Sequence, residues 1–322
     1  MCQPQARGDR AELREIASLS GYLKELSRLV IRVMASPSLA GRLLLKGDVA
    51  AFYDTLGDDL IPFCDGGFQD LSKPLWFNFG YWKEARTYPD ACAALVRYLA
   101  DTVELGPGDE VLEVGCGYGE AARLWVGERK VRHLTGVDLT PVHVTVGRAR
   151  VNQTGLSDRI SLQLGSATAL KFPDGSFDKI VALECAFHFN TRAQFFAEAF
   201  RLLRPGGRLA LMDMLPLPGA KHGGLWHRIC RRYAYLPEEN FYDRHVYAKK
   251  LRECGFDRIK VDSIARYVYP GICRYQQLRR RGAPIDAIVP LRAEDCDPDQ
   301  WLDRGRIHSG LDDYVVAQAD KP

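Results

Sequence analysis

The chain has 322 residues, 46% of them hydrophobic and 26% charged, a composition that builds a sizeable core and excludes a disordered or fibrous protein. No apolar run is long enough to cross a bilayer, and the first residues lack a basic-then-apolar signal pattern. The nine cysteines include no C-x-x-C pair and read as reduced thiols in the cytoplasm. The net charge of +3 conceals two basic stretches. Between Gly219 and Pro237, Lys221, Arg228, Arg231 and Arg232 meet no acid; between Ile264 and Arg292, six arginines meet only Asp286. Solvated surface accounts for such runs, and so does a cap that attracts an anion.

In chain order, Leu13, Ile16, Ala17, Leu23, Leu26, Leu29, Val30 and Val33 recur at helical spacing, so a helix is expected over residues 9–34 and a shorter one over 48–56. Residues 75–82, Leu-Trp-Phe-Asn-Phe-Gly-Tyr-Trp, have neither period and hold five aromatics. They read either as core or as a flap over a flat, charged ligand. A helix over Pro89–Val103 follows. The first 104 residues are therefore expected to form a helical lid and aromatic flap, and residues 105–322 a catalytic core.

That core opens on Glu110-Val-Leu-Glu-Val-Gly-Cys-Gly-Tyr-Gly119, a buried strand running into a glycine turn and a helix. Glycines at alternate positions let a ligand lie against bare peptide groups. Dinucleotides and S-adenosylmethionine both use such a turn. The dinucleotide fingerprint needs a small residue where this chain has Glu120, and an anionic phosphate at the helix N-terminus. Glu120 and Glu113 suit a sulfonium and an ammonium better, so an S-adenosylmethionine site is expected.

Beyond the turn, strands over His133–Asp138, Arg159–Leu164, Lys179–Glu184 and Arg208–Asp213 alternate with helices over 140–153 and 191–203. Asp138 stands where an acid holds ribose hydroxyls. A helix over 243–254 and strands over 258–263 and 314–318 complete an α/β, doubly wound, mainly parallel seven-stranded sheet with Rossmann-like alternation. Two interruptions, at about 215–242 and 264–310, are too long for bare loops and are expected to be capping insertions over the carboxyl ends of the strands. They coincide with the basic stretches.

The run from Glu110 to about Leu215 resembles the class I S-adenosylmethionine-dependent methyltransferases in its glycine turn, Asp138, Phe172-Pro173, the Glu184 strand end and Arg204-Pro205-Gly206-Gly207. Residues 78–82, 136–144, 165–168 and 247–252 are similar to the branch that methylates sugar hydroxyls of erythromycin-type macrolides. The resemblance implies that Glu113, Gly115 and Gly117 line the methionine half of the cofactor and that Asp138 holds the ribose. Leu139 and Ala167 would flank the adenine near Ser166, Glu184 would end its strand at the site, and Gly80 and Tyr81 would close over the cofactor. It also implies a small-molecule substrate of natural-product biosynthesis.

For chemistry, His188 follows the fourth strand and is the expected base, with Asp213, at the end of the fifth, to orient or assist it. His222 and His227 are weaker choices. No cluster has metal-ligand spacing, so no metal is expected. Nothing suggests nucleic acid or an integral membrane segment, and a homodimer is left open. The acceptor is expected to be a hydroxyl; a carbon acceptor on a prenyl diphosphate, drawn by the basic caps, or an amine remains the alternative.

Overall fold

A computed structural model of the chain describes residues 49, 73–219, 231, 235–291 and 310–322. The chain divides into two compact units, Met1–Gly47 and Asp48–Pro322. All described residues belong to the second. The helices expected over 9–34 and 48–56, His222 and His227, residues 220–230 and 232–234 of the first expected insertion and the stretch 292–309 lie outside or almost wholly outside them.

The first helix, α1 (Tyr88–Val103), starts where the sequence supplies a cap: the Thr87 side chain accepts the Asp90 N–H and Pro89 sits in the first turn. Its stripe of Tyr88, Ala91, Cys92, Leu95, Val96, Leu99, Ala100 and Val103 is buried at helical spacing. Each large side chain in that stripe stabilises by roughly 1.5–3 kcal/mol relative to exposure. Glu104 ends the helix in the left-handed region.

Then come β1 (Glu110–Val114), α2 (Glu120–Arg129), β2 (His133–Asp138), α3 (Pro141–Gln153), β3 (Ile160–Leu164) and β4 (Phe177–Leu183). They are followed by α4 (Arg192–Leu202), β5 (Leu203–Leu215), α5 (Arg244–Glu253), β6 (Asp257–Ser263), α6 (Tyr269–Arg280) and β7 (Asp313–Asp320). One seven-stranded sheet runs β3-β2-β1-β4-β5-β7-β6. Only β7 is antiparallel to its neighbours, pairing Leu215 with Asp313 on one side and Ser263 with Val315 on the other. The central β1 is buried from Val111 to Val114, as a strand covered on both faces must be. The expected doubly wound fold is the one observed.

Two element ends differ from expectation. The Arg204-Pro205-Gly206-Gly207 stop does end α4, but the backbone enters β5 at once. Leu203 pairs with Phe177 and Arg208 with Lys179, so the four residues form an irregularity inside the strand. Arg204 stitches it by donating to Asp178 Oδ1 at 2.7 Å. The second insertion carries α6, which packs against the aromatic stretch and α1: Tyr275 stacks on Tyr88 at 4.4 Å and the Trp82 N–H donates to the Tyr267 carbonyl at 2.7 Å. Residues 75–82 and α1 thus fall in the same compact unit as the sheet, whereas a boundary near residue 104 was expected.

Candidate cofactor and active site

The carboxyl ends of β1, β2 and β4 converge on the glycine turn. Gly115 has φ +72°, and a Cβ there would stand 2.5 Å from Cys185 Sγ, so only glycine fits beneath the β4 loop. Gly117 is the opposite case: φ is +51° and an added Cβ would meet nothing within 4 Å. Its open face is where a ligand can approach the peptide.

Glu113 is 2% exposed, and its Oε2 is buried without a hydrogen-bond partner. Burial, helped by the nearby Asp138 charge, pushes its carboxyl up to about 8. A buried carboxylate with an unsatisfied oxygen is costly unless something cationic arrives. Asp138 is buried too but fully engaged. Oδ2 accepts the Gly117 N–H at 2.8 Å, and Oδ1 accepts the Thr140 N–H at 2.9 Å and meets His143 Nδ1 at 3.2 Å. Burial alone would raise its carboxyl; the His143 and backbone hydrogen bonds outweigh that and hold it below the usual range. Asp138 therefore braces both the glycine turn and the start of α3, where the N-cap Thr140 side chain makes no capping bond.

Apolar surface lies beside these acids. Leu139 is 45% exposed and Leu164, at the end of β3 and paired with Asp138 in register, is 57% exposed. Both leucines offer apolar surface on which a flat apolar group could lie. Ala167, expected beside Leu139, is 9% exposed and belongs to the core cluster that includes Val137, Leu170 and Phe177. Ser166 hydrogen-bonds within its own turn, its Oγ 3.2 Å from Thr168 Oγ1. Leu164 was missed because a strand-end leucine is indistinguishable by sequence from core. The orphaned acid, the open glycine and the exposed leucines fit a ligand with a cationic end and a flat apolar end, which is the chemistry of S-adenosylmethionine.

The aromatic stretch crosses this end of the sheet as a strap. Arg150 of α3 donates from Nη2 to the Lys73 carbonyl at 2.5 Å, Phe77 lies 6.4 Å from the His143 ring, and the Phe79 N–H donates to Glu184 Oε1 at 2.8 Å. Beyond it the strap turns away. Gly80 is packed on α1, where a Cβ would come within 2.7 Å of Ala91, and Tyr81 packs on Tyr98 and Tyr267 at 5.0 and 5.5 Å. Phe77 and Phe79 are the strap residues that touch His143 and Glu184, whereas Gly80 and Tyr81 pack on α1 and Tyr267. Glu184, expected among cofactor ligands, spends Oε1 on the strap and on the Tyr314 hydroxyl at 2.6 Å. Burial raises its carboxyl to about 7 despite those bonds. It ties the strap to β7.

Glu120 needs a correction as well. Instead of facing the crevice, it is 8% exposed and accepts from Arg150 Nε at 2.6 Å and from Arg123 Nη1 at 3.0 Å. Its charge is paired and cannot repel a phosphate; Asp138, held ionised by its hydrogen bonds, is the acid that carries negative charge at the turn.

His188 ends a short 3-10 turn, Ala186–His188, after β4 and is half-buried. Its Nδ1 lies 3.2 Å from the Tyr235 carbonyl, which can only accept, so Nδ1 carries the hydrogen and Nε2 the lone pair. Burial lowers its pKa to about 4, a shift that the Tyr235 bond opposes and Arg192 adds to. Asp213 does not orient it. Both Asp213 and Arg192 are 0% exposed, and they pair through Arg192 Nε and Asp213 Oδ2 at 2.8 Å and Nη2 and Oδ1 at 3.3 Å. A buried carboxylate so close to a guanidinium fork is committed to it. Among the described residues no group of His, Cys, Asp and Glu could hold a metal ion, and no helix is long and apolar enough to cross a membrane.

Residues 112–211 match the family model described as a methyltransferase domain. Erythromycin 3''-O-methyltransferase of Saccharopolyspora erythraea is 38% identical over 196 residues, 59% of this chain and 64% of that enzyme, slightly less than two thirds of its length. The 27-O-demethylrifamycin SV methyltransferase of Amycolatopsis mediterranei is 32% identical over 269 residues, 79% of this chain and 94% of its own. Among solved structures, the [4+2]-cyclase SpnF superposes with a TM-score of 0.63 at 22% identity, covering 85% of this chain and 95% of that one.

Proposed function

The chain belongs to the class I S-adenosylmethionine-dependent methyltransferases, and from that premise we propose that it methylates a hydroxyl of a bulky small-molecule metabolite in natural-product biosynthesis. When bound, S-adenosylmethionine would supply a methyl group activated on a sulfonium, with the sulfur as the leaving group that would keep the bonding electron pair. The protein's task is to align the acceptor and receive its proton. Alignment alone corresponds to effective molarities on the order of 10⁵–10⁸ M. A positioned base adds roughly 10²–10⁴-fold.

The observation that carries the hydroxyl reading is the state of His188. It is neutral at physiological pH, and its Nδ1 hydrogen bond to Tyr235 leaves Nε2 as the acceptor nitrogen. A base whose conjugate acid has a pKa of about 4 is weak toward a resting alcohol. It is adequate once the oxygen has begun to bond to the methyl carbon, because positive charge then makes that hydroxyl strongly acidic. The hydroxyl proton passes to Nε2. Two relatives with hydroxyl acceptors in their names support the same reading. Aromatic packing runs from the strap into the core: Phe79 meets Tyr269 edge-on at 6.4 Å, and Tyr269 meets Tyr314 at 6.0 Å.

The test is mass-spectrometric detection of labelled methyl transfer to hydroxyl-bearing macrolides and other polyketides. His188→Ala should lose roughly 10²–10⁴-fold in kcat with little change in cofactor affinity. Methyl found on carbon, with full activity in His188→Ala, would overturn the proposal.

A further inference from the structure

The segment after β5, expected only as a basic cap, grips the His188 loop from behind. Of its described residues, 235–242 form a knot around Arg231. The Arg231 carbonyl accepts the Leu236 N–H at 2.9 Å, its guanidinium lies 4.3 Å from the Phe241 ring centroid, and Nη2 reaches Glu238 at 3.4 Å. From this knot two groups reach the loop.

One is the Tyr235 carbonyl on His188 Nδ1. Tyr235 has φ +50°, a left-handed conformation that costs a non-glycine residue roughly 1–3 kcal/mol and is retained only when its surroundings demand it. The other is the Asn240 side chain, which is 3% exposed. Asn240 Nδ2 donates to the Phe187 carbonyl at 3.1 Å and to the Phe189 carbonyl at 2.6 Å, the residues on either side of His188. Its Oδ1 accepts the Arg192 N–H at 2.8 Å. Two carbonyls and one N–H settle which way the amide faces, since the reverse orientation would satisfy none of the three. One side chain thus uses both donors and an acceptor on a single loop, and the residue at the centre of that loop is the histidine.

We infer that Asn240 is a positioning residue for His188, clamping the peptides on both sides of it so that the imidazole donates through Nδ1 to Tyr235 and offers Nε2 to the acceptor hydroxyl. The inference rests on the reading of His188 as the base. Asn240 makes no hydrogen bond to Glu113, Gly115, Gly117 or Asp138, so cofactor affinity should not depend on it. Releasing the clamp lets the ring rotate or exchange tautomers, and the base is lost while the histidine remains.

The experiment compares Asn240→Ala, His188→Ala and the double variant in full-length protein. Asn240→Ala should lower kcat by about 10-fold or more, within the range a general base supplies, with the cofactor KM changed by less than about 2-fold. In the His188→Ala background the same substitution should cost less than about 2-fold, because nothing is left to position. Imidazole ¹⁵N NMR gives a readout that needs no substrate: the wild type should show the His188 hydrogen on Nδ1, and Asn240→Ala should show a tautomer mixture. If Asn240→Ala does not fold by thermal melt, Asn240→Asp keeps the acceptor for the Arg192 N–H, removes both donors and should give the same losses. An equal loss in both backgrounds, or an unchanged His188 tautomer, would overturn the inference. Full activity in His188→Ala would instead remove the base reading and leave the tautomer result standing on its own.

Discussion

Glu113 and Asp138 answer burial in opposite ways, and their pH dependences run in opposite directions. Glu113 is raised from 4.5 to about 8, so between those values the folded protein holds a proton that the unfolded chain has lost. Stability should therefore fall as pH rises from about 4.5 to 8, by an amount on the order of a few kcal/mol. Chemical denaturation across that range should show the slope, and Glu113→Gln should flatten it. Asp138 is lowered, so its contribution is present above its ordinary value of 3.8 and is lost as pH falls through the folded value. Asp138→Ala should weaken S-adenosylmethionine binding by about 1–3 kcal/mol and also lower the melting temperature, since the Gly117 and Thr140 amides lose their acceptor. Calorimetry showing unchanged affinity would remove Asp138 from the site. Glu113 and Asp138 could be singled out because a strand end and a glycine turn are recognisable in the sequence itself. Glu120 and Asp213 were misjudged because their arginine partners, Arg150 and Arg192, are marked by no motif, and no spacing rule points to them.

At the scale of elements, the strap is held to the body by a tight fit as well as by Glu184. Gly271, in the first turn of α6, lies so close under Trp82 that a Cβ there would come within 2.0 Å of its ring. Gly271→Ala should force α6 and the strap apart, at about 1–3 kcal/mol for overpacking or more. A thermal melt should show the loss, and Trp82→Leu in the same chain should recover part of it. If Gly271→Ala melts with the wild type, the strap does not depend on this contact. The helices and strands of the core were readable from period and caps: Thr191 with Gln194 makes the full capping box that opens α4. The strap was not, because an aromatic run without a period says that something will be covered and not what. Nor was α6, which serves the strap and α1 through Tyr275 and the sheet through Tyr269.

Considered as a whole molecule, the protein was legible where alternation repeats and illegible where it is interrupted. The sheet order follows from the βα rhythm, but the described insertion segments do more than cap: one clamps the His188 loop and the other clamps the strap. The strand that completes the sheet has a further consequence, and it concerns synthesis. Residues 313–320 lie between β5 and β6 and also supply the Tyr314 hydroxyl that holds Glu184. While the chain is being made, β5 and β6 must wait for the strand that joins them, and such distant pairing folds slowly and leaves edges exposed. A nascent chain stopped at Asp312 should show no cooperative melting transition and should not retain S-adenosylhomocysteine on equilibrium dialysis, whereas one reaching Pro322 should do both. Retention by the shorter chain would show that the site assembles without β7. With β7 required, a chain on the ribosome that has not yet reached residue 313 has no assembled site for its methyl donor.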